Sequence, residues 1–137
     1  MYEEGLYENE KFQDLLKTMI YDFDMFQVQR LTPWSVNKLY VTKKVYETMQ
    51  TMEEGIAYAE DSVFLYRYLL DSNAIRIIHE PMYRYRYRDD SAIHKVNNRM
   101  LIDINKVYLT LLPVFGKHKE RIYYVDSFNG GLPCCLV

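Results

Sequence analysis

Apolar residues at helical spacing are the strongest constraint on how this chain can fold. From Phe12 to Phe23 they recur every three or four residues, which places them on one face of a helix. We expect that helix to cover about 9–26, with Asn9 as its N-cap. Pro33 lies downstream, and because proline cannot continue the helical ladder, the helix must end before it.

Three further helices are predicted along the chain. The longest covers about 93–112 and is expected to end at Pro113 and Gly116. A shorter helix covers 42–49, capped by its first residue, a threonine, and another covers 60–71, where acidic residues suit the first turn. The apolar face of the longest helix is formed by Leu101, Ile104, Tyr108 and Leu111.

Short strands are predicted between the helices. Residues 36–41 fit a short strand or an extended turn, and 74–79 fit a strand. Over 83–88 tyrosine alternates with arginine, which in a strand sends the two residue types to opposite faces. Residues 126–137 have little periodicity and form an irregular tail after a single folded region over 1–125. The expected fold class is therefore α+β, mainly helical with a few short strands.

Size, charge and cysteine content narrow the class of protein. A chain of 137 residues with 49% hydrophobic residues suits one folded domain, and a net charge of −2 argues against a general polyanion binder. Cys134 and Cys135 are adjacent and lack the spacing of a metal site, so we expect a reduced, cytoplasmic setting. No apolar run approaches the roughly 20 residues of a membrane helix. Any membrane association would be peripheral, at the inner face, or would be supplied by a missing part of the protein.

The adjacent acids Glu60 and Asp61 follow a glycine and precede an apolar helix. Taken alone, the pair fits helix capping, with both carboxylates in water. The alternative is catalytic, because an aspartate at a helix N-terminus can point into a cleft and accept a proton from a sugar hydroxyl. The helix dipole would keep such an aspartate ionised and make it a modest base.

Arginines and a histidine follow about twenty residues later. The arginines of 84–88 are either the solvated face of an amphipathic strand or a diphosphate site, since the guanidinium fork matches phosphate oxygens. Stacking on single-stranded nucleic acid is disfavoured by the acidic chain. His94 is either a polar loop residue or a metal ligand that needs partners from elsewhere. Asp22 and Asp24 are interpreted as a solvated helix end and not as a metal site.

Several short motifs follow one another in a characteristic order between Trp34 and His94. Over about 60 residues, their order and spacing resemble the C-terminal half of family 2 glycosyltransferases of the GT-A fold. The matching segments are Trp34, Asn37-Lys38-Leu39-Tyr40, Glu54-Gly55, Glu60-Asp61, 64–70, 77–86, Ser91 and His94.

This resemblance implies transfer of a sugar from a nucleotide-diphosphate sugar to an acceptor hydroxyl, in surface polysaccharide synthesis. It implies that Asp61 is the catalytic base, with Glu60 beside it, and that His94 binds a divalent Mn or Mg ion. The residues it assigns to substrate binding are Gly55, Trp34, Asn37, Lys38, Arg86 and Arg88.

The resemblance covers only the acceptor side of such an enzyme. A family member would begin with a β/α nucleotide-binding half that ends in a metal-chelating acid motif, and no such half precedes residue 34. We therefore expect a fragment with little or no transferase activity alone, which associates with itself through surfaces that the missing half would cover. The alternative is a non-catalytic binding or assembly module that retains this fold.

Overall fold

Helices and short antiparallel strands alternate in the chain. The structure, a computed structural model, describes residues 2–18, 20–23, 26–29, 31, 34–84, 86, 98–118 and 120. Their arrangement confirms the expected α+β class, with more residues in helices than in strands. In chain order the elements are β1 Gly5–Glu8, α1 Asn9–Thr18, β2 Ile20–Phe23, β3 Phe26–Gln29, a turn of 3-10 helix at Ser35–Asn37, α2 Thr42–Met49, α3 Glu60–Leu70, β4 Ala74–Ile77 and α4 Asn98–Lys117.

The strands form two separate antiparallel pairs. β1 pairs with β4, so that Gly5 lies opposite Ile77 and Glu8 lies opposite Ala74. β2 and β3 form a hairpin in which Phe23 lies opposite Phe26. The β1–β4 pair joins the start of the described chain to the strand that follows α3, and α1 packs against both strands.

The hydrophobic core lies between α1, α3, α4 and the β1–β4 pair. A ring contact between α3 and α4 illustrates the packing: Tyr66 and Phe115 meet edge to face, with centroids 5.5 Å apart. α1 contributes three of the buried side chains and α3 contributes five. The core side chains are Tyr7, Phe12, Leu15, Leu16, Val63, Leu65, Tyr66, Leu69, Leu70, Ile104, Val107, Leu111 and Phe115.

The first helix is shorter than predicted. It begins at Asn9, whose φ of 51° is a left-handed conformation that asparagine tolerates, but it ends at Thr18 and not near residue 26. Ile20–Phe23 pairs instead with Phe26–Gln29. Isoleucine, tyrosine and phenylalanine favour strands, and the hairpin supplies the backbone hydrogen bonds that a longer helix would have made. Asp22 accordingly lies in β2 and not at a helix end.

The last described helix is longer at its C-terminus than predicted. α4 continues through Pro113 to Lys117, so neither Pro113 nor Gly116 ends it. Proline removes one helical hydrogen bond, to the carbonyl of Leu109, which lies on the exposed side of the helix where water can replace the donor. Phe115 packs on α3 and stabilises the final turn. The predicted residues 93–97 lie outside the described ranges.

The intervening elements match the prediction more closely. α2 and α3 have the expected bounds to within one residue, although the N-cap of α2 is Val41 and makes no side-chain cap bond. Residues 36–41 are a 3-10 turn followed by extended chain, and the strand predicted at 74–79 ends at Ile77. Residues 81–84 and 86 belong to no helix or strand, so they do not form the expected Tyr-Arg strand. The tail 126–137 lies outside the described residues.

Candidate functional site

The loop before α3 places Glu60 and Asp61 in the first turn of the helix. The N-cap is Ala59, which has a left-handed φ of 59° and no side-chain cap bond; its carbonyl accepts a hydrogen bond from the Ser62 amide at 3.1 Å. The acids therefore do not cap the helix with their side chains. They lie where the helix dipole favours negative charge. Glu60 is exposed and Asp61 is partly buried.

Three polar side chains of α4 fix the loop that leads to these acids. The carboxylate of Asp103 accepts a hydrogen bond from the Ala57 amide at 3.2 Å. The ammonium of Lys106 donates to the Gly55 carbonyl at 3.1 Å. We call Asp103, Lys106 and Thr110 the polar clamp; its third contact runs from the Thr110 hydroxyl to Glu53 Oε2 at 2.9 Å.

The polar clamp was not predicted from the sequence. Its spacing of three and four residues is helical, and Asp103 and Thr110 are each only 2% exposed. They occupy the buried face of α4 together with Val107, whereas Leu101, which was predicted to lie there, is 68% exposed. The signal in the sequence was the position of Asp103 and Thr110 within the apolar helical pattern of α4, which could have indicated that α4 hydrogen-bonds a neighbouring loop.

A second segment near Asp61 contains Lys38. Its ammonium donates to the Trp34 carbonyl at 2.7 Å and to Asn37 Oδ1 at 2.6 Å. Burial lowers the pKa of Lys38 to about 8, while the negative charge of Asp61 opposes that shift. Lys38 is thus a partly desolvated cation in the field of Asp61.

Aromatic side chains connect this segment to α3. The Tyr40 ring meets Phe64 and Tyr68 edge to face, with centroids 5.3 Å and 5.1 Å away. The Tyr68 hydroxyl accepts a hydrogen bond from the Val41 amide at 3.0 Å. Because residues 61, 64 and 68 are spaced by three and four, Asp61 lies on the same face of α3 as the two rings that contact Tyr40.

The charge of Asp61 also reaches Tyr40. Burial raises the pKa of the Tyr40 phenol to about 12, and the nearby Asp61 and Tyr68 add to the shift. Tyr40 therefore stays protonated at neutral pH, so its hydroxyl can donate a hydrogen bond as well as accept one. The cluster therefore contains the carboxylate of Asp61, the ammonium of Lys38 and the neutral phenol of Tyr40.

The structure brings some of the predicted site residues together and leaves others apart. Asp61, Lys38 and Asn37 belong to one cluster with the exposed Trp34, and Gly55, with φ 84°, lies in the loop held by the polar clamp. Arg86 is exposed, and among contacts between described residues none joins it to Asp61. Arg88 and His94 lie outside the described residues.

The described ranges contain no metal site and no membrane span. No three histidine, cysteine, aspartate or glutamate side chains among them are grouped to hold a metal ion. No helix in the same ranges is both long enough and apolar enough to cross a bilayer.

Comparison with known proteins identifies no relative. No family model matches the chain, and neither a curated protein nor a solved structure matches it.

Proposed function

We propose that this chain is the acceptor-side portion of a glycosyltransferase that uses a nucleotide-diphosphate sugar. The observation that carries the proposal is the position of Tyr40 and Lys38 beside the face of α3 that bears Asp61. Two motifs about twenty residues apart in the sequence thereby contribute to one cluster, and both belong to the set on which the resemblance to family 2 glycosyltransferases rests.

In this proposal Asp61 is the general base. Its carboxylate takes the proton of an acceptor hydroxyl while that oxygen attacks the anomeric carbon of the donor sugar, and the bond from this carbon to the diphosphate breaks. Attack opposite the leaving group inverts the anomeric carbon. Asp61 lies in the first turn of α3, where the helix dipole favours negative charge, and the polar clamp holds the backbone from which α3 starts.

The diphosphate and the metal belong to the part of the site outside the cluster. Arg86 and Arg88 are the candidates for the diphosphate, because guanidinium groups pair with phosphate oxygens. A bound Mn or Mg ion would supply charge neutralisation of that leaving group, and His94 is its candidate ligand. Among the described residues, no three histidine, cysteine, aspartate or glutamate side chains are grouped as a ligand set for the ion. The proposal assigns the proton transfer to Asp61.

The base role is tested by Asp61→Asn in a chain that also carries a nucleotide-binding half. We expect sugar transfer to be lost while the dissociation constant for the nucleotide sugar changes little, because the amide keeps the shape but cannot accept the proton. Glu60→Gln is the matched control. Because Glu60 is exposed, this variant should keep most of the activity. Sustained turnover by Asp61→Asn would exclude this role. The 137-residue chain alone is expected to show little or no transfer.

A second candidate function is a non-catalytic binding or assembly module. The observation that favours it is the exposure of apolar side chains along 34–49: Leu39 is 89% exposed, Tyr46 69% and Val41 63%. Exposed apolar side chains close together are typical of surfaces that bind another protein surface.

Light scattering can test the assembly function. We expect the parent chain to self-associate and Leu39→Glu to shift it toward the monomer, because a charge at this position opposes burial. Asn105→Glu, at an exposed polar position on α4, adds the same charge outside this apolar segment and is the matched control, which should leave the association unchanged. A parent chain that stays monomeric at high concentration would count against the module.

A further inference from the structure

The Tyr40 hydroxyl is buried without a hydrogen-bond partner. Its oxygen is buried from solvent, and the described part of the chain offers it no donor or acceptor. Buried polar groups in folded proteins are nearly always paired, because an unpaired one loses its hydrogen bonds to water and gains nothing in return. An unpaired hydroxyl beside a candidate site therefore requires an explanation.

The neighbouring tyrosine on α3 shows that the surroundings could satisfy a hydroxyl. Tyr68 packs its ring against Tyr40 at 5.1 Å, and its own hydroxyl accepts the Val41 amide at 3.0 Å. The two tyrosines thus share one aromatic cluster with Phe64 and differ in whether the hydroxyl has a partner. The Tyr68 hydroxyl is hydrogen-bonded within the fold, whereas the Tyr40 hydroxyl is an unpaired group whose ring packs against the face of α3 that bears Asp61.

We propose that the Tyr40 hydroxyl is a binding group for the sugar acceptor, donating its hydrogen to an acceptor oxygen next to the hydroxyl that Asp61 deprotonates. This inference rests on the proposed function. Neighbouring hydroxyls of a sugar can donate to a carboxylate and accept from a phenol at the same time, which is the combination that Asp61 and Tyr40 present. The Asp61 carboxylate opposes an anion beside Tyr40, while the Lys38 ammonium offsets part of that charge. The ligand class in this proposal is a neutral polyol.

The segment that carries Tyr40 can admit a ligand without loss of secondary structure. Residues 38–41 lie between the 3-10 turn and α2 and belong to no helix or strand. A shift of the Tyr40 ring therefore breaks no ladder hydrogen bond, although it gives up part of the ring contacts with Phe64 and Tyr68, which the bound sugar must offset. Leu39, the residue before it, is almost fully exposed and does not anchor the segment to the core.

Tyr40→Phe and Tyr68→Phe form a matched pair that tests the inference on the 137-residue chain. Glucose, galactose and N-acetylglucosamine serve as neutral probes in NMR titrations, and thermal unfolding reports stability. Tyr40→Phe should unfold at the parent temperature or above it, because it removes an unpaired polar atom, yet should weaken sugar binding about tenfold. Tyr68→Phe should unfold at a lower temperature with little change in affinity.

Three results would overturn the inference: no probe binds the parent, Tyr40→Phe binds as the parent does, or Tyr40→Phe loses as much stability as Tyr68→Phe. The last would mean that the hydroxyl has a partner within the protein. Failure of the proposed function is a separate outcome. Suppose that sugar binding depends on Tyr40 but the chain that carries a nucleotide-binding half transfers no sugar. That result would exclude the transferase function and leave the Tyr40 inference standing. Asp61-dependent transfer that tolerates Tyr40→Phe would exclude only the Tyr40 role.

Discussion

Two segments near Asp61, the loop 53–59 and the segment 34–41, are held in place by different chemistry. The loop 53–59 is fixed by the polar clamp, whose side chains bond two backbone groups and the Glu53 carboxylate. The segment 34–41 is attached to α3 by the Tyr40 ring and the Val41 amide, and it exposes several apolar side chains. The polar clamp therefore fixes the backbone that leads to Asp61, whereas segment 34–41 leaves apolar side chains exposed, and binding is proposed only for the latter.

The aromatic attachment should give the largest effect when it is removed. Phe64→Ala deletes the ring that contacts both Tyr40 and Tyr68, and we expect the free energy of unfolding to fall by about 3 kcal/mol. Urea unfolding followed by circular dichroism measures this change. Phe64→Leu, which retains much of the apolar volume, should lose less. A change smaller than about 1 kcal/mol would mean that the ring contacts do not hold segment 34–41.

The polar clamp is tested at its most buried residue. Asp103→Ala removes the acceptor of the Ala57 amide, and we expect a loss of about 2 kcal/mol with faster hydrogen exchange at that amide. Asp103→Asn retains an acceptor oxygen and is the matched control. Unchanged exchange at Ala57 in the alanine variant would show that Asp103 does not hold the loop.

A smaller loss is expected at the other buried end of the polar clamp. Thr110→Val keeps the shape of the side chain but removes the hydroxyl that donates to Glu53, so stability should fall by about 1 kcal/mol. Thr110→Ser keeps the hydroxyl and separates the lost hydrogen bond from altered packing. Equal losses in the two variants would assign the effect to packing.

The same contrast explains which parts of the fold the sequence could predict. α2 and α3 depend on local signals, and their bounds were predicted to within one residue. β1 was not predicted, because its partner β4 lies about 70 residues away and no local pattern indicates the pairing. The sequence of Ile20–Phe23 is compatible with a helix by its spacing and with a strand by its composition. Pairing with Phe26–Gln29 selects the strand.

The site shows a similar division. Asp61 and Lys38 could be selected from motif order, and the structure supports their electrostatic coupling. The polar clamp and the unpaired Tyr40 hydroxyl were not predicted, because each depends on a contact, or the lack of one, between residues far apart in the sequence. Partners for buried polar groups are set by tertiary packing, which periodicity alone does not describe.

The smallest predicted effect concerns the charge interaction between Lys38 of segment 34–41 and Asp61 of α3. Folding lowers the pKa of Lys38 from its ordinary value of 10.5 to about 8, mainly through burial. Between these two values the unfolded chain binds more protons than the folded one, so the contribution of Lys38 to stability rises with pH. The window from about 8 to 10 is the most informative, because the raised pKa of Tyr40 makes stability fall with pH above 10.

Two variants separate the contributions of burial and of Asp61 to this behaviour. Lys38→Met should remove the rise in stability between pH 8 and 10. Asp61→Asn should lower the pKa of Lys38 further, because it deletes the negative charge that favours the ammonium. NMR of the lysine side chain gives the pKa directly, and urea unfolding at each pH gives the stability. A Lys38 pKa at its ordinary value would contradict the burial of Lys38. A pKa that Asp61→Asn leaves unchanged would show that Lys38 of segment 34–41 does not interact with Asp61.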